Sequence, residues 1–319
     1  MAYFHEGEVA LQAESGVDSA AFEAMARQSM VPGLHPREAE FVEQRTFAVA
    51  TTIDRDGRPW SSPLFGSSES PLFAVQDPIT ISVGSQQAPG DPMITNIEDT
   101  SELGVLFFDP SYRRRIKSIG HATVGNDAVT YVLDRSFGIC NKYIYKRDHV
   151  AAEMVSTASE PLTVTPDLKL DDESIAQLAT ADTAFLASYH EVNGADPTHR
   201  GGPAGFVTVV DDRTLSMPDY MGNGMFNTLG NLRIDDRIGF MTVDFASGRT
   251  IHVTGRGAVR PSPANDAMSE RTLTIEVDAV LVTNANQGAW VDVEEFPIRP
   301  GMINPATPYL RRPPQLDHS

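Results

Sequence analysis

Gly104-Val105-Leu106-Phe107-Phe108-Asp109 reads as a short apolar strand, and 135 residues later the chain writes Gly239-Phe240-Met241-Thr242-Val243-Asp244. Sliding the stretch from Asp77 to Val124 onto that from Asp212 to Val259 without gaps keeps eight identities in 48 positions. They are Asp77 with Asp212, Asn96 with Asn231, Gly104 with Gly239, Asp109 with Asp244, Arg114 with Arg249, Ile116 with Ile251, Gly120 with Gly255 and Val124 with Val259. With small shifts the match extends outward. Thr46-Phe47-Ala48-Val49 falls on Ala184-Phe185-Leu186-Ala187, and Thr130-Tyr131-Val132-Leu133-Asp134 on Thr274-Ile275-Glu276-Val277-Asp278. A repeat of this length fixes the architecture before any single element does, and we read it as an internal duplication.

Each copy has the punctuation of an antiparallel barrel. Phe47 to Ile53 is a β-branched and aromatic run that stops at Asp54-Arg55-Asp56-Gly57-Arg58-Pro59, a turn signal, before a second strand from Trp60. Strands are expected over 79–83, 104–108, 116–124 and 129–137, with a short helix near 92–98. Copy two repeats the order, with strands over 183–190, 205–210, 214–217, 238–245, 250–259 and 272–283, and a helix near 226–232. About six strands and a helix per copy, at such spacing, predict a mainly β protein of two tandem barrels. Helical patterns at 17–28 and 37–44 precede the first barrel. The expected organisation is an N-terminal helical extension over 1–35, copy one over 36–160, copy two over 161–290 and a Pro-rich tail over 291–319, where six prolines past Glu295 forbid regular structure.

Composition excludes several classes of function. With 43 acids against 25 bases the net charge of −18 repels a phosphate backbone, so no nucleic-acid partner is expected. No run approaches the ~20 apolar residues of a membrane span, and the first residues carry no basic-then-apolar leader, so the expectation is a soluble cytoplasmic chain without a membrane partner. Cys140 is the single cysteine and cannot form an internal disulfide. The eight histidines include no His-x-x-x-His pair, and no metal site is expected. Gly-x-Ser-x-Gly and Walker sequences are absent.

Two stretches of copy two are unlike ordinary barrel sequence. Thr198-His199-Arg200-Gly201-Gly202, read as a loop between the first two strands, joins a cation and a titratable ring to glycines that let backbone N–H groups approach a ligand; it is equally a Gly-rich hairpin with surface charge. Pro218-Asp219-Tyr220-Met221-Gly222-Asn223-Gly224-Met225-Phe226-Asn227-Thr228-Leu229-Gly230-Asn231-Leu232 leads into a helix whose first turn carries Asn227 and Thr228. A helix start suits a phosphate, unless Asn227 or Thr228 only caps its own helix. Together the two stretches favour a phosphorylated ligand.

His-Arg-Gly-Gly at 199–202, followed by Gly-Asn-x-x-Phe-Asn-Thr-Leu-Gly-Asn-Leu at 222–232, resembles the pyridoxamine 5′-phosphate oxidase-like, FMN-binding split-barrel family, and within it a bacterial branch with two barrels in one chain. Supporting matches are Phe4-His5-x-Gly7-Glu8, Asp56-Gly57-Arg58-Pro59-Trp60, Tyr112-Arg113-Arg114-Arg115 and Phe137-Gly138-Ile139-Cys140-Asn141-Lys142-Tyr143-Ile144. The resemblance implies FMN held where the two barrels meet and a flavin-dependent oxidoreductase acting on a small organic substrate, with NAD(P)H or dioxygen as redox partner. It places the phosphate on Arg200, His199, Gly201 and the amides from Asn223 through Met225 to Thr228, and the ribityl chain on Asn227, Thr228 and Asn231. The ring, which needs donors near N5 and O4, falls to Ser188 and Tyr189 or to the Pro218–Tyr220 segment with Asp219.

The vitamin B6 oxidases of this family carry a phosphate-gripping Lys four residues after a Tyr. Counted from Tyr220 that position is Gly224, so copy one must supply any further cation, from Lys142 or from Arg113, Arg114 or Arg115. True pyridoxamine phosphate oxidation is correspondingly disfavoured. Copy one lacks the Gly-Asn signature, which predicts one flavin site per chain. A non-catalytic flavin or haem carrier or sensor, and a deazaflavin-dependent reductase, remain as alternatives, and a homodimer is allowed.

Overall fold

The protein, seen in a computed structural model, is described over residues 3–66, 71–84, 87–150, 168–262, 269–284 and 289–292. Three helices come first: α1 (Glu6–Glu14), α2 (Ser19–Ser29) and α3 (Pro36–Glu43). The first half then runs β1 (Phe47–Ile53), β2 (Pro59–Phe65), β3 (Phe73–Asp77), β4 (Thr80–Val83), α4 (Met93–Thr100), β5 (Glu102–Asp109), β6 (Arg114–Val124) and β7 (Val129–Gly138). After β8 (Arg147–Val150) and α5 (Asp172–Leu178), the second half repeats the series. It runs β9 (Thr183–His190), β10 (Gly194–Gly201), β11 (Thr208–Asp211), β12 (Thr214–Tyr220), α6 (Asn227–Ile234), β13 (Arg237–Val243), β14 (Arg249–Pro261) and β15 (Ser269–Asn284). A last strand, β16 (Ala289–Asp292), pairs with β8.

The duplication is explicit in the topology. One seven-stranded antiparallel sheet has the order β2-β1-β5-β6-β7-β4-β3, and the other has β10-β9-β13-β14-β15-β12-β11, strand for strand the same. Each sheet surrounds its own apolar core, so the molecule is mainly β with tandem split barrels. A third apolar cluster, including Phe47, Phe65, Phe108, Phe185, Met241 and Phe245, joins them, with Phe47 and Phe185 meeting edge-on at 6.0 Å.

The repeated glycines do identical steric work. Gly120 and Gly255 follow equivalent bulges in β6 and β14, where a Cβ would lie 2.0 Å from the carbonyl oxygens of Val132 and Glu276. Gly104 and Gly239 lie where the halves press together. A Cβ there would lie 2.1 Å from Ala195 O and 2.7 Å from Pro59 O respectively. Asn96 and Asn231 each tie the inter-strand helix to the first strand of their half, through Thr52 Oγ1 (3.0 Å) and Ser188 Oγ (2.9 Å).

Several expectations need correction. Gly104 faces Thr51 while Gly239 faces Ala187, so Val49, not Phe47, is the counterpart of Phe185. The sequence alignment slipped by two residues, which leaves every side chain on the same face and is therefore invisible to hydrophobic pattern. Residues 198–201 are not a loop but the end of β10. Pro197 is tolerated there because β10 is a sheet edge, as Pro59 and Pro63 are on β2. Helix α1 and strand β3 were not anticipated. The Pro-rich tail past Glu295 and most of the linker between the copies lie outside the described residues. Among the described residues no helix is long and apolar enough to cross a membrane.

Candidate functional site

Strand β6 of the first half alternates Ile116, turned to the core, with Arg115 and Lys117, turned to the second half. These two cations, the 139–143 segment, β10, the end of β12 and the start of α6 enclose a cleft with about 860 Å³ of empty space including its mouth. Eight predicted residues line it: His199, Arg200, Gly201, Asp219, Tyr220, Asn223, Asn227 and Thr228. The other four do not. Ser188 and Asn231 are buried behind the wall, bonded to each other; Met225 packs with Phe4 and Phe22; Lys142 sits beside the cleft.

His199 is buried between Phe108, stacked on it at 5.0 Å, and the edge of Phe185 at 5.6 Å. Its Nδ1 lies 2.7 Å from Arg115 Nη1. A guanidinium only donates, so Nδ1 accepts and the hydrogen of the neutral ring resides on Nε2. Burial, reinforced by Arg115, Arg147 and Arg200, holds the ring pKa well below its ordinary value, so the ring is neutral. Nε2–H meets no partner. Arg115 is also buried, with Nε donating to Cys140 O at 2.9 Å and Nη2 reaching Cys140 Sγ at 3.8 Å, yet no carboxylate pairs with it among the described residues. Burial pulls its pKa down. Arg200 gives Nη1 to Asp219 Oδ1 at 2.7 Å and leaves Nε unpartnered. Burial raises the Asp219 carboxyl despite Arg200 and, 4.0 Å away, Arg271.

Below this corner a buried ion pair crosses between the halves. Lys117 Nζ donates to Asp196 and to Thr198 Oγ1 (3.2 Å), while Thr228 Oγ1 donates to Asp196 Oδ2 (3.1 Å). Desolvation lowers the Lys117 pKa against the pull of Asp196. Neither side chain in the first turn of α6 caps it: Thr228 serves Asp196, and Asn227 donates Nδ2 to Glu8 of α1. The helix-cap reading of Asn227 and Thr228 is therefore wrong, and the residue preceding the helix, Phe226, enters it at φ +60° with no side-chain cap.

Sequence reasoning missed Lys117, quoted Thr198, Tyr143 and Glu8 within motifs without giving them roles of their own, and held Arg115 only as one of several cations on a hairpin tip. The signal was there in β6: two cations at i and i+2 opposite a core Ile116. The strand registers put Pro63, Leu64 and Trp60 where the second half has His199, Arg200 and Asp196. The repeat likewise puts Thr250 and His252 where the first half has Arg115 and Lys117. The polar set is thus not repeated in the symmetry-related position. The group of His5, Glu6 and His190 could in outline hold a cation. However, His5 takes Gly7 N–H on Nδ1 and faces Asn231 Oδ1 with Nε2, and its ring stacks on His190 at 3.9 Å, so it has no lone pair to give.

No family model and no curated protein matches the sequence. Solved structures do match in part. A candidate pyridoxamine 5′-phosphate oxidase of Lactobacillus delbrueckii is 17% identical and spans 38% of this chain and 98% of its own, with a TM-score of 0.29. A general stress protein 26 relative of the pyridoxinephosphate oxidase family from Clostridium acetobutylicum is 9% identical, over 38% of this chain and 92% of its own, at 0.29. A FAD-binding protein of Mesorhizobium loti is 11% identical, over 39% of this chain and 99% of its own, at 0.27.

Proposed function

We propose that the chain is a flavin-dependent oxidoreductase that holds FMN in the cleft between its two halves. The observation that carries this reading is the corner built by Arg115, His199 and Arg200. It holds a buried guanidinium without a carboxylate, a buried neutral His whose Nε2–H has no acceptor, and a second guanidinium with its Nε free. Buried donors are rarely left unpaired; the unpartnered His199 Nε2–H and Arg200 Nε, beside an Arg115 guanidinium that no carboxylate neutralises, describe a receptor for an anion with several oxygens. The set fits a phosphate monoester: Arg115 reaches it from the first half and Arg200 from the second, the latter shared with Asp219.

The remaining lining divides accordingly. Asn227, Thr198 and Thr228 offer neutral hydrogen-bonding groups suited to a ribityl chain, and Ile139, Tyr143, Tyr220 and Phe226 offer an apolar wall to a flat ring. Tyr143 and Tyr220 stack at 5.5 Å, one from each half, and Tyr143 Oη is fixed on Met221 O at 2.9 Å. The flavin would supply hydride exchange with a small organic substrate and with a nicotinamide or dioxygen. The protein's part is to bind, orient and shield. The haem alternative is weakened because His199 spends Nδ1 on Arg115 and carries its hydrogen on Nε2, leaving no lone pair for iron.

The test begins with the purified protein: an absorption spectrum with flavin bands, and the mass of the ligand released on denaturation. Anaerobic reduction by NAD(P)H followed by reoxidation in air separates an enzyme from a carrier. A colourless protein that fails to bind added FMN at tens of micromolar would overturn the reading.

A further inference from the structure

The opening Phe4-His5-Glu6-Gly7-Glu8 docks on the back of the helix that lines the cleft. Gly7 crosses Gly230 so closely that a Cβ on Gly7 would lie 2.2 Å from Gly230 O. This contact carries Glu8 into full burial. Its Oε2 accepts from His5 N (2.9 Å) and Asn193 Nδ2 (3.1 Å), and its Oε1 accepts from Asn227 Nδ2. A helix-capping Glu needs only the bond to His5; the bonds to Asn193 and Asn227 are additional, and Asn227 lines the cleft.

A carboxylate has only lone pairs to offer, so the group Asn227 turns toward Glu8 must be its NH2. The amide oxygen of Asn227 is then the group left for the cleft. We propose that ionised Glu8 is a positioning residue that locks the Asn227 amide so that Oδ1 accepts a hydroxyl of the bound ligand's polyol chain. Protonated Glu8 instead has a hydrogen to donate, favours the opposite turn of the amide, and presents NH2 to the cleft. The inference rests on the flavin reading above. The groups around Glu8 are His5, which precedes α1 and brings Nε2 within 3.5 Å of Oε2, Glu6 on α1, Lys117 on β6, Arg135 on β7, His190 on β9 and Asp196 on β10. None of the cations hydrogen-bonds it, and burial pushes its carboxyl up to about 7, which puts the change within reach of ordinary buffers.

The experiment is titration of the full-length protein with FMN and, separately, with inorganic phosphate as a probe lacking hydroxyl-bearing carbons. It runs from pH 6 to pH 8 for the wild type and Glu8→Gln, each affinity referred to the dianion present. With the competent form falling from about nine-tenths to one-tenth, wild-type FMN affinity drops roughly tenfold at pH 6 relative to phosphate affinity. Glu8→Gln, whose amide cannot accept at both ends, gives a flat ratio at the acid-limb value. A wild-type ratio that does not change with pH, or a Glu8→Gln profile parallel to the wild type, overturns the proposal. If the variant does not fold, the wild-type ratio alone decides. A wild type that binds neither probe instead refutes the flavin reading, a failure distinct from this one.

Discussion

Arg115→Met separates an anion receptor from a structural arginine. Arg115 is buried, donates to Cys140 O and His199 Nδ1, and has no carboxylate partner. Replacing it by an unbranched apolar chain leaves those two acceptors unpaired, at about 1–3 kcal/mol each. It also removes an uncompensated buried charge whose desolvation costs several kcal/mol. The two effects oppose each other, so the stability of the ligand-free protein should move by no more than about 2 kcal/mol in either direction. Ligand affinity has no such offset. A charge-assisted contact to phosphate contributes about 1.5–3 kcal/mol, so FMN should bind roughly 10- to 150-fold more weakly. Riboflavin has the same ring and polyol chain without the phosphate and should be affected little. The assay is quenching of flavin fluorescence with both ligands, beside urea unfolding of the apo-protein. Equal losses for FMN and riboflavin, or a large loss of stability with FMN affinity intact, would refute the phosphate placement.

Other perturbations follow from the same geometry. Asp196→Ala strands Lys117 in the interior and should cost about 3–5 kcal/mol, whereas adding Lys117→Met should recover much of it; urea midpoints of the three variants decide. Gly104→Ala drives a methyl against Ala195 O between the halves and should cost about 1–3 kcal/mol, while Gly138→Ala, which meets nothing within 4 Å, serves as the control in the same thermal melts. Arg58→Ala breaks a half-exposed pair with Asp54 at the β1–β2 turn and should change stability by less than about 1 kcal/mol and leave flavin content unaltered by absorbance. Folding stability should depend on pH in two opposed ways. His5, His199 and His252 have pKa values lowered by burial, so the unfolded chain binds more protons and stability is lost as pH falls below about 6.5. Glu8 is raised to about 7, so its contribution is full below its unfolded pKa and is lost as pH rises through 7. Glu8→Gln should therefore remove about 2 kcal/mol of the decline seen in urea midpoints between pH 5.5 and 8.5.

Much of the fold was legible because the residues that define it act locally. Phe47–Ile53 and Thr183–His190 are β-branched and aromatic runs, and they are β1 and β9 to the residue. The duplication could be read from Gly104, Gly120, Gly239 and Gly255 because each avoids a backbone clash that its twin also avoids. Strand β10 escaped because Pro197 and Gly201-Gly202 look like turn chemistry, and only its place at the sheet edge makes a proline harmless. Helix α1 escaped because its burial depends on a Gly7–Gly230 crossing between segments more than two hundred residues apart. The site divides the same way. His199, Arg200, Asn227 and Thr228 were visible as a motif, whereas Arg115, Lys117 and Glu8 gain their meaning only from partners in the other half.

That cross-half construction lets the two pseudo-symmetric positions carry different residues independently. The cleft takes Arg115 and Lys117 from the first half's β6 and His199 and Arg200 from the second half's β10. Its symmetry mate would draw on β14 and β2, four different positions, so substitutions there leave the cleft untouched. Those positions now hold Thr250, His252, Pro63 and Leu64. His252 has both ring nitrogens engaged, on Ser61 O at 2.7 Å and Thr283 Oγ1 at 2.9 Å, and burial favours its neutral form. Leu64 has joined the first half's core. A satisfied neutral imidazole and a packed leucine are cheaper to bury than two guanidinium groups and an ammonium. The mate position is thus the cheaper of the two to bury, and under the proposed reading the ligand would relieve the cost of the unpaired donors in the cleft.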